Sequence, residues 1–161
     1  MNKKMLDELN LQIQEELNSM YIYMAMGADL DEKGWGGMAH WMRRQAQEEF
    51  GHAMKIQGYI RDRLQKAVFQ TLPAPQATWD SPKKIFEAAF AHEQHITGRI
   101  HHLVKLAREL DDIATEVFLQ WFVTEQVEEE EAAQSVVDMF DKIKDSAPGM
   151  FQLDAHLGKR D

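Results

Sequence analysis

The chain has 161 residues, 44% of them hydrophobic and 28% charged, with a formal net charge of −9. That length suits one domain, 1–161, with a sizeable core, and the acidic balance counts against a nucleic-acid backbone as partner while favouring cations. The absence of cysteine excludes disulfides, thiolate zinc sites and iron–sulfur clusters.

Four long helical patterns and one short one follow in chain order. Met1-Asn2-Lys3-Lys4 leads straight into an amphipathic stretch, about Met5 to Glu32, which ends at a Gly-rich turn, Gly34 to Gly37. No signal peptide is read there. The strongest apolar run, Leu17 to Ala28, is shorter than the about 20 residues that span a bilayer. A soluble cytoplasmic protein with no membrane and no nucleic-acid partner is the expectation. The second pattern runs from about Gly37 to Leu64. Residues 65–81 then lack a helical period and carry Pro73 and Pro75, with Ala67-Val68-Phe69 as a locally extended candidate. The third pattern opens on Ser81-Pro82 and runs to about Leu110, and the fourth runs from Asp111-Asp112 to about Ser146. Pro148-Gly149 reads as a break before a short fifth helix, Met150 to Leu157.

The links set the topology. Short turns make the first and second patterns, and the third and fourth, antiparallel hairpins. A helix of about 27 residues is about 40 Å long, and the extended 65–81 segment reaches roughly 56 Å. A crossover of bundle length is therefore expected between helices 2 and 3, giving an all-α four-helix bundle with a short fifth helix.

Each long pattern carries an acid inside its apolar stripe. Glu16 lies among Leu9, Ile13, Leu17, Met20 and Met24. Glu49 and His52 lie between Met38, Met42, Ile56 and Tyr59. Glu93 lies among Phe86, Ala89, Ile96 and Ile100, and Gln126 and Glu129 lie between Phe122, Ala133 and Val136. Steps of three and four put each set on one helix face. The acids sit near helix midpoints, which meet at one level whatever the helix directions. A buried ionised carboxylate costs several kcal/mol, and four would exceed the roughly 5–15 kcal/mol net stability of a domain. The stripes supply one histidine and no Lys or Arg, so a metal is the natural compensator. Glu49-x-x-His52 places two ligands one turn apart, oxygen donors with one imidazole suit iron(II) or manganese(II), and four carboxylates balance two divalent ions.

In this order and spacing, the chain resembles the non-haem bacterial and archaeal ferritins over essentially its whole length. The matching stretches are Glu16 with Leu17 to Tyr23, Gln45-Ala46-Gln47-Glu48-Glu49 followed by His52, His92-Glu93, and Gln120-Trp121-Phe122 leading into Glu125 to Glu130. The resemblance implies a ferritin-like bundle in a hollow 24-subunit homo-oligomeric cage. Such a cage oxidises iron(II) with oxygen or peroxide and stores the iron(III) mineral. It makes Glu16, Glu49 and His52 ligands of a first iron. Glu49, Glu93 and Glu129 hold a second, with Gln126 close by. Glu48, Glu125 and Glu128, with Glu129, match a third position beside the pair. Tyr23 matches a tyrosine that gives a hydrogen bond or an electron beside the iron, and Trp121 lies nearby. Haem is not expected, because Phe50 stands where the haem-binding members carry Met, and Gln126-x-x-Glu129 replaces their second Glu-x-x-His.

The alternative class is a di-metal carboxylate oxidoreductase acting on an organic substrate, which would usually carry both Glu-x-x-His motifs. A DNA-shielding member would place its ligands between subunits. His92, His95, His101 and His102 crowd one helix without an acidic partner pattern and read as partly exposed or interface residues. In the last segment Phe151, Leu153 and Leu157 have no evident place in the four-helix core and suggest an interface. Asp111, Asp112 and Glu116 are acidic candidates for guiding iron(II) at subunit junctions.

Overall fold

The computed structural model describes residues 1–144 and 146–160. It contains five helices: α1 (Lys3–Glu32), α2 (Gly36–Asp62), α3 (Pro82–Glu109), α4 (Ile113–Ile143) and α5 (Ala147–Leu157). Side-chain caps start four of them. Asn2 accepts from the Lys4 amide at 2.8 Å, Ser81 from Lys84 at 3.3 Å, Asp112 from Thr115 at 3.2 Å and Ser146 from Gly149 at 3.3 Å. Each bond satisfies an amide that the first helical turn leaves without a partner. Leu64 and Asp111, just past α2 and α3, adopt positive φ of 56° and 51°, the left-handed step that ends many helices.

Cross-helix pairs fix the directions. Tyr23 meets Glu93 while Glu8 meets Arg99, so α1 and α3 are antiparallel. Gln45 meets Glu129 while Tyr59 meets Thr115, so α2 and α4 are antiparallel too. Lys83 with Asp141 and Arg108 with Glu116 give the same sense for α3 and α4. With α1 and α2 joined as a hairpin, α2 and α3 are parallel, as the crossover requires.

That crossover is tied along α1. The Val68 amide donates to Asn10 Oδ1 at 2.8 Å, Gln14 Nε2 to the Thr71 carbonyl at 2.6 Å, and the Trp79 amide to Asp29 Oδ2 at 3.1 Å. From Asn10 to Asp29 is about 28 Å of helix at 1.5 Å per residue, so the segment follows most of the bundle. Ala67 to Phe69 form no strand; the Val68 amide bonds to a helix side chain instead.

Two expectations at the end of the chain are corrected. α4 stops at Ile143, where Lys144 takes φ 51°, and Pro148 and Gly149 lie inside the first turn of α5 instead of breaking the chain before it. Proline is tolerated there because the first turn's amides have no intrahelical acceptor to lose. Leu153 and Leu157 are buried against Leu30, Met38 and Trp41, and only Phe151, beside Trp35, stays largely exposed. Gly37 makes this docking possible, since a Cβ there would fall 1.9 Å from the Asp154 carbonyl oxygen.

The apolar core is in two parts. One joins Tyr23, Met26, Leu30, Met42, Phe86, Val136 and Phe140; the other joins Met5, Leu9, Ile13, Ile56, Ile60, Ile100, Leu103 and Phe122. Between them in sequence on every long helix lie the buried polar residues Glu16, Glu49, His52, Glu93, Gln126 and Glu129. The α1 stripe is shifted from the expected one. Ser19, Tyr23 and Met26 face inward after Glu16, while Leu17 and Met20 are half-buried and Met24 is exposed.

Candidate metal centre

The midpoint carboxylates converge. One ligand atom each from Glu16, Glu49 and His52 lie within 4.8 Å of one another, and so do atoms from Glu49, Glu93 and Glu129. Glu49 belongs to both groups. His52 follows it by one turn of α2, with Nδ1 at 3.4 Å from Glu49 Oε2 and 3.9 Å from Glu16 Oε2. Glu16 Oε2 is buried and has no hydrogen-bond partner. A buried acceptor without a donor is costly, and this one faces an imidazole and a second carboxylate, as a metal ligand would.

The donors around the carboxylates are neutral. Gln12 Nε2 reaches Glu16 Oε1 at 2.9 Å, and Gln45 Nε2 reaches Glu49 Oε1 at 3.2 Å and Glu129 Oε2 at 2.5 Å. Gln126 Nε2 donates to Glu93 Oε2 at 3.2 Å, and the Tyr23 hydroxyl donates to Glu93 Oε1. Gln12 and Gln45 were missed in the sequence. Each stands four residues before a carboxylate it touches, a spacing that puts the two side chains on one face.

Proton affinities follow from this crowding. Burial, then the Glu49 charge, pushes Glu16 well above the carboxylate range. Burial, then Glu93 and Glu129, does the same to Glu49. Burial raises Glu93 against the opposing hydrogen bonds from Tyr23 and Gln126. Burial and the Glu93 charge lift Glu129 to about 7. Tyr23 is raised by burial and then by Glu93, so its hydroxyl keeps its proton. Each shift favours the protonated carboxyl, so the layer draws in protons or cations.

The other candidates are distributed differently. Glu125 joins His52 and Glu129 in a third group of atoms within 4.8 Å, its Oε1 lying 3.8 Å from His52 Nε2. Glu48 is turned to Arg160, and Glu128 is exposed and outside these groups. Trp121 lies edge-on to His52, with centroids 5.4 Å apart, and Lys55 Nζ sits 3.8 Å over its ring. Phe50 points away from the core, 49% exposed.

The histidine row on α3 does have acidic partners, contrary to expectation: they come from α1, with Glu15 3.1 Å from His95 and Glu8 3.4 Å from His102. His92 is bonded to Ser19 at 2.7 Å, and burial followed by the His95 charge lowers it to about 4. Of the proposed junction acids, Asp112 caps α4 and pairs with Arg63 at 3.0 Å, and Glu116 pairs with Arg108 at 2.7 Å, which leaves Asp111 exposed in the turn.

A family model, the ferritin-like domain of the ferritin family, matches residues 6–143, which contain every residue of the carboxylate layer. The chain belongs to the ferritin family. This ferritin is 38% identical over 160 residues to a bacterial non-heme ferritin of Staphylococcus saprophyticus, covering 99% of this chain and 96% of that protein. It is 38% identical over 159 residues to one of Bacteroides fragilis, covering 99% of each. Among solved structures, an open pore ferritin from the archaeon Archaeoglobus fulgidus superposes with a TM-score of 0.99 at 39% identity, over 100% of this chain and 99% of that one. An engineered closed form of the Archaeoglobus ferritin gives 0.99 at 40% identity, over 100% and 98%. No helix among the described residues of this ferritin is long and apolar enough to cross a membrane.

Proposed function

We propose that this ferritin stores iron in the cytoplasm and that its carboxylate layer is a ferroxidase site, oxidising iron(II) taken as substrate in pairs. The observation that carries the proposal is Glu49, whose carboxylate belongs to two separate groups of buried ligand atoms, Glu16 with His52 and Glu93 with Glu129. A carboxylate so placed bridges two cations, and two divalent cations replace the protons that the empty layer requires. Gln126 and Gln12 hold the outer oxygens by neutral donors, so they orient the ligands without repelling iron. The Tyr23 hydroxyl steadies Glu93 by a hydrogen bond and is placed to give an electron when iron(II) is oxidised by oxygen or peroxide. Glu125, Glu129, Glu48 and Glu128 serve a third iron position beside the pair, which tunes turnover and iron transfer.

The self-partner is a cage of 24 subunits, supported by the likeness to ferritins along the full chain, including the fifth helix. A closed shell explains how insoluble iron(III) stays in solution. The test is anaerobic loading with two iron(II) per subunit, then oxygen in a stopped flow, with size-exclusion chromatography and light scattering before and after. Rapid oxidation and iron eluting with a large intact particle are expected. Oxidation no faster than in buffer would overturn the site reading, and a particle no larger than a dimer would overturn the cage.

A further inference from the structure

Beyond α5 the chain lies back over α2, and Arg160 is held there by four contacts. Its carbonyl oxygen accepts from His40 Nε2 at 2.7 Å. Its guanidinium carbon lies 4.4 Å from the centroid of the Trp41 ring. Nη1 donates to Gln45 Oε1 at 2.8 Å, and Nη2 donates to Glu48 Oε2 at 2.5 Å. The arginine side chain is only 22% exposed. An isolated surface ion pair contributes little, but here both guanidinium bonds, the ring beneath and the bonded backbone position the same group.

The guanidinium is thus one amide away from the carboxylate layer. Gln45, whose oxygen it fixes, sends its Nε2 to Glu49 and Glu129. Glu48 Oε2 is engaged by the guanidinium, and a charge-assisted bond of that kind places a fixed positive charge beside the carboxylate and opposes a divalent ion there. Glu125, near His52, has no Lys or Arg partner among the described residues. The charge of the third position is therefore partly cancelled by the chain itself.

We propose that Arg160 is a resident counter-cation that opposes a third iron(II) at Glu48, so that the third position fills after the pair and more weakly than it would without the arginine. The proposal rests on the assignment of Glu48 to that position. It gives the arginine a role in specificity: the pair site binds first because its ligands are free of protein cations, and the third position binds later and more weakly. Weak occupancy suits a position that passes iron onward.

The test is calorimetric titration of the whole protein with zinc(II), which needs no oxidant and reports binding without turnover. Wild type, R160Q, R160K, E48Q and the double variant E48Q/R160Q are compared. The first two binding events report the pair site, and their absence in wild type would instead sink the assignment of that site. With those events present, R160Q is expected to strengthen the third roughly ten-fold or more, the worth of one charge-assisted bond, and to leave the first two within about two-fold. R160K should fall between, because a lysine keeps the charge and loses the forked geometry. In the E48Q background the gain should vanish. A third event that is absent or unchanged in R160Q, a gain that survives E48Q, or equal strengthening of all three events would overturn the proposal. R160K guards against misfolding of R160Q, since it retains a cation on Gln45 and Glu48.

Discussion

Replacing Glu129 by glutamine removes one charge from the layer while keeping an oxygen to accept from Gln45 Nε2. In the metal-free protein Glu129 titrates near 7, against an ordinary value of 4.5, because of burial and the Glu93 charge. The folded state therefore holds a proton that the unfolded chain has released between those values. The resulting stability is fully present below about pH 4.5 and is lost as pH rises through 7. The loss is roughly 3 kcal/mol per subunit, which corresponds to about 6–12 °C in Tm for a chain of this size. Calorimetric melting of chelator-treated wild type and Glu129→Gln from pH 5 to 8 measures it. The two proteins should melt together near pH 5, with wild type falling progressively below the variant towards pH 8. Zinc(II) should reverse the order at pH 8, since it replaces the missing positive charge only where the carboxylate remains. Glu49, which the Glu129 charge raises, is relieved in the variant as well, which widens the gap in the same direction. A gap in Tm that is the same at pH 5 and pH 8 would refute the electrostatic account of the layer.

Three further outcomes follow from named contacts. Glu49→Ala should abolish the fast phase of iron(II) oxidation in a stopped flow while leaving the fold intact, because the repulsion from Glu93 and Glu129 that it removes offsets part of the cavity it leaves; an unchanged fast phase would remove Glu49 from the bridge. Tyr23→Phe takes away a hydrogen bond that holds Glu93 down, so the pH midpoint of anaerobic zinc(II) binding should move upward, and a midpoint that stays put would limit Tyr23 to packing. Gly37→Ala places a methyl 1.9 Å from the Asp154 carbonyl oxygen and disturbs the 2.9 Å bond from the Met38 amide to Asp154 Oδ1. A loss of about 1–3 kcal/mol is expected, read as a lower Tm with Trp35 and Trp41 fluorescence shifted; a melting curve like wild type would show that α5 docks otherwise.

The bundle and its carboxylates were legible because they break a rule. Glu16, Glu49, Glu93 and Glu129 interrupt apolar stripes of period 3.6, and such a violation is visible in one dimension as soon as the helix is assigned. The crossover was legible for a different reason: its length and its prolines allow few topologies. The local facts were less so. The α1 stripe turned by one position, hiding Tyr23 and Met26 and exposing Met24, because all three residue types fit either side of a helix boundary and only packing against α2 and α3 chooses. Pro148-Gly149 looked like a break because the residues are breakers in a helix interior, whereas the capping Ser146 moves them into the first turn. The acid partners of His95 and His102 could not be read from α3, since they lie on α1. Arg160 carried no signal at all; its place depends on how α5 docks against Gly37.

The charge distribution around the layer has a physical logic that ties these observations together. The hydrogen-bond donors directed into the layer are Gln12, Gln45, Gln126 and Tyr23, all neutral. A lysine or arginine at any of these positions would neutralise the carboxylates permanently and oppose each arriving iron(II) with a fixed charge. An amide or a phenol orients the same oxygens and leaves their charge to be balanced by something mobile. Burial, with repulsion among the carboxylates, raises Glu16, Glu49, Glu93 and Glu129, so protons can do so in the metal-free protein. On the proposed function divalent ions do so in the loaded state, so loading should expel protons, and affinity should rise with pH through the region where Glu129 titrates. The guanidinium of Arg160 stays outside this layer, on Glu48 and on the far side of the Gln45 amide. On the proposed assignment, its position separates a pair of iron positions balanced by exchangeable cations from a neighbouring one that the protein partly balances itself.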